Sequence, residues 1–278
     1  MAAGRQLTCT LGLVFSERAS AQAITVPAND QRPTTHDDRL DDERPMLNFS
    51  RFRFLTFDCY GTLIDWEKGI FSALRPILAA HGRSMSDSAI LELYGELEAE
   101  AEKGEFRPYR EVLKSVVRAF GERLAFVPSE TQVQSLPASL ADWTPSADTV
   151  ESLRKLKNRH RLAILSNVDD DLFAATAPKL GVAMDFVITA QQARAYKPSL
   201  AIFRLAQQRM GAAREEWLHV GQSIYHDVIP AQSLGLSTIW VNRPSARAGV
   251  GAVKAAAARP SVEVPNLKTL ADFAGEDE

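Results

Sequence analysis

Four short apolar runs in this chain each give way to polar or ionisable side chains that can do chemistry. Arg53 to Phe57 leads into Asp58, and Leu162 to Leu165 into Ser166 and Asn167. Phe186 to Ile188 is followed by Lys197, just before the next helical segment, and Leu218 to Val220 by Gln222, Ser223, His226 and Asp227. A fifth run, Thr238 to Val241, has the same character. Runs this short and this apolar read as strands buried on both faces. From Trp143 onward they alternate with helical spacing over 169–180, 198–210 and 228–234, with Pro198 expected at the first helical position. Repeated βα units predict an α/β fold with a doubly wound parallel sheet covered by helices on both faces. Such sheets bind ligands at the carboxyl ends of their strands, so the four polar stations converge on one edge.

Between the first and second strands the spacing is helical throughout. Ile70, Leu74, Ile77 and Leu78 form one stripe, Ile90, Leu93, Tyr94 and Leu97 a second, and Val112, Leu113, Val116, Val117 and Phe120 a third. Asp87 is expected to cap the second of these helices and Pro128 to open a fourth. The expected organisation is a core domain of residues 49–68 and 139–278, with a helical cap domain of residues 69–138 inserted after the first strand. Residues 249–259, small and Gly- and Ala-rich, are expected to form a surface loop or irregular helix.

The 32 Lys and Arg residues nearly balance 35 Asp and Glu, giving a formal charge of -3. That balance offers no global attraction to nucleic acid or to an anionic membrane. No apolar run approaches the roughly 18 to 20 residues needed to cross a bilayer. A small anionic molecule is the expected partner, and a homodimer is compatible with the sequence. Two cysteines, Cys9 and Cys59, cannot make a disulfide framework, which fits a reducing, cytoplasmic location.

Residues 1–48 read differently. Asn29 to Arg44 holds almost no apolar residue and is expected to be disordered. Leu7 to Phe15 followed by Ala19-Ser20-Ala21 has a superficial likeness to a secretory signal, but Ser16-Glu17-Arg18 interrupts it. The expectation is a disordered leader or a mis-assigned start, with Met46 as the working first residue.

Taken singly, each polar station has a structural explanation: Asp before Gly-Thr is a common turn, Ser-Asn a common helix cap, and Lys before Pro a solvated side chain. Together they describe nucleophilic hydrolysis. A nearby Lys favours the ionised form of a carboxylate, and an ionised Asp is a competent nucleophile. Hydroxyl and amide donors hold an anionic group, and a further carboxylate, Asp227, orients water or helps bind a divalent cation.

In order and surroundings these residues resemble the haloacid dehalogenase superfamily. Phe57-Asp58-Cys59-Tyr60-Gly61-Thr62-Leu63 is similar to its first motif, Leu165-Ser166-Asn167 to its second and Tyr196-Lys197-Pro198 to its third. Val220-Gly221-Gln222-Ser223-Ile224-Tyr225-His226-Asp227 is similar to the fourth. The resemblance, running from about residue 52 to the C-terminus, implies a Rossmann-like core with a helical cap. Phosphatases of this superfamily place an Asp two positions after the nucleophile to protonate a leaving alkoxide; Tyr60 stands there instead. That resembles the 2-haloacid dehalogenase branch, whose halide leaves without a proton and needs no metal.

By that resemblance Asp58 is the nucleophile that forms an ester, Lys197 holds it, and Asp227 positions the hydrolytic water. Tyr60, Thr62, Ser166 and Asn167 are then substrate-binding or nucleophile-supporting residues, with Gln222, Ser223 and His226 as weaker candidates. His226 has no counterpart in the family pattern, and a structural role is the plainer reading of it. The pattern is incomplete elsewhere. Where family dehalogenases carry a halide-binding Arg on a cap helix, this chain has Gly95, with Arg107 and Arg110 further along. Phe203 replaces a Tyr, and Gln222 and Ile224 replace a Ser and an Asn of the fourth motif. Two other readings remain open. One is a magnesium-dependent phosphatase, with Asp58, the Tyr60 carbonyl and Asp227 on Mg2+; the other is a non-catalytic small-acid binder. Trp66 and Trp143 are expected to pack where core meets cap, Arg243 to form a salt bridge, and Cys59 to be buried.

Overall fold

The computed structural model describes residues 47–276, so the expectations for Cys9 and for nearly all of the leader fall outside the described residues. Strand β1 (Phe54–Phe57) is followed by four helices: α1 (Trp66–Ala80), α2 (Asp87–Ala101), α3 (Tyr109–Arg123) and α4 (Glu130–Ser139). The chain then runs α5 (Thr149–Lys157), β2 (Arg161–Ser166), α6 (Asp170–Thr176), β3 (Phe186–Thr189), α7 (Ala190–Ala193) and α8 (Leu200–Met210). It ends with β4 (Trp217–Gly221), α9 (Ile229–Ser233), β5 (Ser237–Val241), β6 (Val262–Val264) and α10 (Leu267–Glu276).

The six strands form one parallel sheet in the order β3-β2-β1-β4-β5-β6. Alternation along β1 sends Leu55 and Phe57 into one apolar core and Phe54 into a second. The first core also holds residues of α5 and α10, the second those of α8, which is the doubly wound arrangement. Succession runs outward from β1 in both directions, so β1 and its neighbours flank the topological switch point, where such sheets open a crevice. All three apolar stripes expected on α1, α2 and α3 are buried. Among the described residues no helix is long and apolar enough to cross a membrane.

Several helix boundaries differ from expectation, each for a capping reason. Ser86, not Asp87, caps α2: its hydroxyl accepts the Ala89 N–H at 3.2 Å, while Asp87 adds charge to the first turn. Ser129 caps α4 in a reciprocal box with Gln132, so Pro128 lies just outside the helix. Ser199 caps α8 through the Ala201 N–H, which moves the start two residues past Pro198. The segment expected as one helix over 169–180 is split, α6 giving way at Ala177 to a 3-10 turn that contains Pro178. Residues 249–259 contain no helix.

Candidate active site

Asp58, the residue after β1, is the hub of a buried polar cluster. Lys197 Nζ donates to Asp58 Oδ1 at 2.8 Å, to Asp227 Oδ1 at 2.6 Å and to the Leu165 carbonyl at 2.9 Å. Its three donors are thus spent on three acceptors, and its side chain is only 1% exposed. Thr62 Oγ1 donates to Asp58 Oδ2 at 2.8 Å and accepts the Gln222 N–H at 2.8 Å, tying the β1 loop to the β4 loop. Gly61 turns that loop at φ +95°, a conformation in which a side chain is strained.

Below this hub runs a chain of buried hydrogen bonds that sequence reasoning missed. Trp217 Nε1 donates to Thr56 Oγ1 at 2.7 Å, Thr56 Oγ1 meets His219 Nδ1 at 2.8 Å, and His219 Nε2 meets Asp227 Oδ1 at 3.2 Å. The Ser223 N–H reaches Asp227 Oδ2 at 3.2 Å. Gly221 makes room for this: a Cβ there would lie 2.4 Å from the Asp227 carboxyl carbon. Both Asp227 oxygens are therefore engaged.

The charges follow from these contacts. Burial pushes Asp58 above the ordinary carboxylate value, and Asp227 adds to that, while Lys197 and Thr62 pull the other way. Burial also works against the Asp227 charge, yet Lys197 and His219 override it and hold that carboxyl well below its usual range. Lys197 is disfavoured by burial but raised by its two carboxylates, and stays charged.

Beside Asp58 lies a small chamber of about 30 Å³, large enough to hold water. Asp58, Ser166, Asn167, His226 and Asp227 line it from the strand ends, and Trp66, Glu98, Glu102 and Tyr109 from the helices. Glu98 on α2 and Glu102, the C-cap residue that follows that helix, are the functional candidates that sequence reasoning did not identify. A signal was available for Glu98: it lies four residues after Tyr94, on the buried stripe of α2. Glu98 Oε1 accepts from the Tyr94 hydroxyl at 3.0 Å and from that of Tyr109. Burial raises its carboxyl to about 7 despite both phenols. Glu102 is also raised well above the ordinary value, first by burial and then by the Glu98 charge, while the Asn167 amide donating at 3.2 Å opposes the shift.

The expected substrate-binding residues separate into groups. Ser166 Oγ is buried, lines the chamber and has no hydrogen-bond partner. Asn167 is held at both ends of its amide: Oδ1 accepts the Lys197 N–H at 2.7 Å, and Nδ2 donates to the Lys197 carbonyl at 3.1 Å as well as to Glu102. Tyr60 lines the chamber, but its hydroxyl is tied to Thr176 Oγ1 at 2.9 Å and its ring packs edge-on against Trp143. Gln222 points away, with Nε2 donating to the Val250 carbonyl at 3.1 Å, and Ser223 Oγ accepts the His226 N–H. His226 Nε2 is buried without a hydrogen-bond partner, and burial lowers its imidazole to about 4.

The basic residues of the helical segment do not reach the chamber. Arg107 donates to the Ala101 carbonyl and Arg110 pairs with Asp169 and Asp171. At Gly95 a Cβ would lie 2.9 Å from the Ala252 carbonyl oxygen, so the loop over 249–253 fills the space an Arg side chain would need. Arg243 forms its expected ion pair with Asp148 at 2.9 Å, and Cys59 is buried, its thiol raised by burial. Trp143 lies against Gly69 and Trp66 stacks edge-on with Tyr94.

The family model of haloacid dehalogenase-like hydrolases matches residues 52–235, which contain all four strand-end stations. The chain belongs to that family. This haloacid dehalogenase-like hydrolase is 25% identical over 225 residues to an (S)-2-haloacid dehalogenase of Pseudomonas fluorescens, covering 78% of this chain and 94% of that one. It is 27% identical over 195 residues to haloacetate dehalogenase H-2 of Moraxella sp. (strain B), covering 68% and 85%. In fold it is similar to the L-2-haloacid dehalogenase of Xanthobacter autotrophicus with chloropropionic acid covalently bound. That structure superposes with a TM-score of 0.67 at 22% identity, covering 81% of this chain and 99% of the other.

Proposed function

We propose that this hydrolase removes halide from a small 2-haloacid through an ester on Asp58. The observation that carries the reading is the Asp58 carboxylate held between Lys197 and Thr62 beside a polar chamber, with no carboxyl at position 60. Asp58 attacks the carbon bearing halogen, the carbon–halogen bond breaks, and the halide leaves with the electron pair. Water then attacks the Asp58 carbonyl carbon and releases the hydroxy acid with inverted configuration. Ser166, whose hydroxyl is free to donate into the chamber, binds the substrate carboxylate. Residues 69–138 act as a cap over a core of residues 49–68 and 139–278.

The donor set does not suit a divalent cation. Hard cations seek several free oxygens, whereas Lys197, His219, Ser223 and Thr62 already engage the oxygens of Asp58 and Asp227. That occupancy supports a reaction that needs no metal.

Halide release from each enantiomer of 2-chloropropionate and from haloacetates, with and without EDTA, tests the proposal. Release from at least one acid, unaffected by EDTA, is the expected result. In Asp58→Asn it should fall by at least about a thousandfold with the circular dichroism spectrum unchanged. No halide from any chloro, bromo or fluoro acid would overturn the reading.

A further inference from the structure

Two buried polar atoms face the chamber without hydrogen-bond partners, and only Ser166 Oγ is accounted for by substrate binding. The other, His226 Nε2, lies 3.9 Å from Glu102 Oε2. The separation is too long for a direct hydrogen bond and short enough for both atoms to touch one water. The chamber has room for one. Asp227, the residue the family pattern offers for positioning water, is instead engaged by Lys197, His219 and Ser223. Asp227 thus meets the chamber with three of its acceptor positions already taken, while His226 Nε2 has no hydrogen-bond partner.

We infer that His226 and Glu102 form the acid–base pair that hydrolyses the Asp58 ester. The inference rests on the reading of Asp58 as a nucleophile that is esterified. Water held between the pair attacks the Asp58 carbonyl carbon and gives its proton to His226 Nε2. The tetrahedral adduct collapses, the bond from that carbon to the substrate oxygen breaks, and the departing alkoxide takes a proton from the Glu102 carboxyl. His226 returns its proton to Glu102, and Asp58, now carrying the water oxygen, loses its own proton to solvent. Water and ester thus become hydroxy acid, carboxylate and one proton, and the pair is restored.

The surroundings support these roles. The groups facing His226 are Asp227 on its own turn, Glu98 from α2 and Glu102 from its C-cap, and Asp58 and Lys197 from the sheet edge. Burial favours the neutral imidazole, which can accept a proton, and favours the protonated form of the Glu102 carboxyl, which can give one. The Asn167 amide, itself locked to the Lys197 backbone, holds Glu102 in place.

The test is single-turnover kinetics with enzyme in excess over 2-chloropropionate, following chloride, hydroxy acid and the mass of the Asp58 peptide. In His226→Gln chloride should appear in one burst, the Asp58 peptide should carry the added acyl group, and hydroxy acid should be delayed about a hundredfold or more. Glu102→Gln should accumulate the same ester, and serves if the first variant does not fold. In the parent enzyme a solvent deuterium isotope effect should appear on hydroxy-acid formation and not on the chloride burst. Hydroxy acid formed at the parental rate in folded variants, with no ester retained, would overturn the pair while leaving Asp58 as nucleophile. A parent enzyme that gives no burst from any haloacid would instead sink the underlying reading.

Discussion

Glu98 shows how much a single buried carboxyl weighs in this protein. Its folded-state pKa of about 7 lies above the ordinary 4.5, so below pH 4.5 folded and unfolded chains both hold the proton. As pH rises from there to 7 the unfolded chain releases it first, and stability falls by up to about 3 kcal/mol, then stays level. Glu98→Gln keeps an oxygen for the Tyr94 and Tyr109 hydroxyls and cannot ionise. Urea denaturation should show the variant gaining on the parent by about 2 to 3 kcal/mol between pH 4.5 and pH 8. A difference that does not vary with pH would contradict this account. Asp58, Lys197 and Asp227 were readable from the chain because each follows an apolar strand in a recognisable order. Glu98 and Glu102 were not, because glutamates in a charged helix read as its wet face unless the register of Tyr94 is followed one turn on. His219 was hidden for the opposite reason: a polar residue between Leu218 and Val220 is absorbed into an apolar run.

At the scale of elements, the close approach of α2 to the loop over 249–253 decides what the site can contain. At Gly95 the nearest atoms to an added Cβ are backbone, the Ala252 carbonyl oxygen at 2.9 Å and the Val253 carbonyl carbon and oxygen at 3.0 Å, which cannot swing aside as a side chain can. Gly95→Ala should therefore cost about 1 to 3 kcal/mol and speed amide exchange in the loop. An unchanged urea midpoint would show that the contact is looser than the geometry implies. Elements with long periodic stripes, α1 to α3 above all, were legible, since their burial follows the 3.6-residue repeat. The short α5 and the three-residue β6 left too little pattern to read. In α10, Leu267, Leu270, Ala271 and Ala274 do show helical spacing, so that helix was legible in principle.

Across the whole described structure, the polar residues of one sheet edge meet carboxyls at the C-terminal end of α2, with a small polar chamber between them. A wider cleft of about 330 Å³ adjoins it, sharing Glu102 and bordered by Ala99, Phe106, Arg194 and Lys197. Under the proposed function this cleft is the expected route for substrate, and motions that open such a route often limit turnover. Ala99→Trp should narrow the cleft and lower kcat/KM by about tenfold while leaving the chloride burst of bound substrate unchanged. Parental kcat/KM in that variant would mean that substrate takes another path. The fold, and the gathering of the four polar stations at one sheet edge, could be read from where the strands end. The distances that close Lys197 on two carboxylates, and bring His226 toward Glu102, arise only when loops far apart in sequence are packed together.

Everything rests on the Asp58 carboxylate becoming covalently attached to its substrate, and one turnover in water enriched in oxygen-18 tests that most directly. With enzyme in excess, the heavy oxygen should enter the Asp58 peptide and the first hydroxy acid released should be unlabelled. Heavy oxygen in that first product, with the Asp58 peptide unshifted, would mean that water attacks the substrate itself and that Asp58 is no nucleophile.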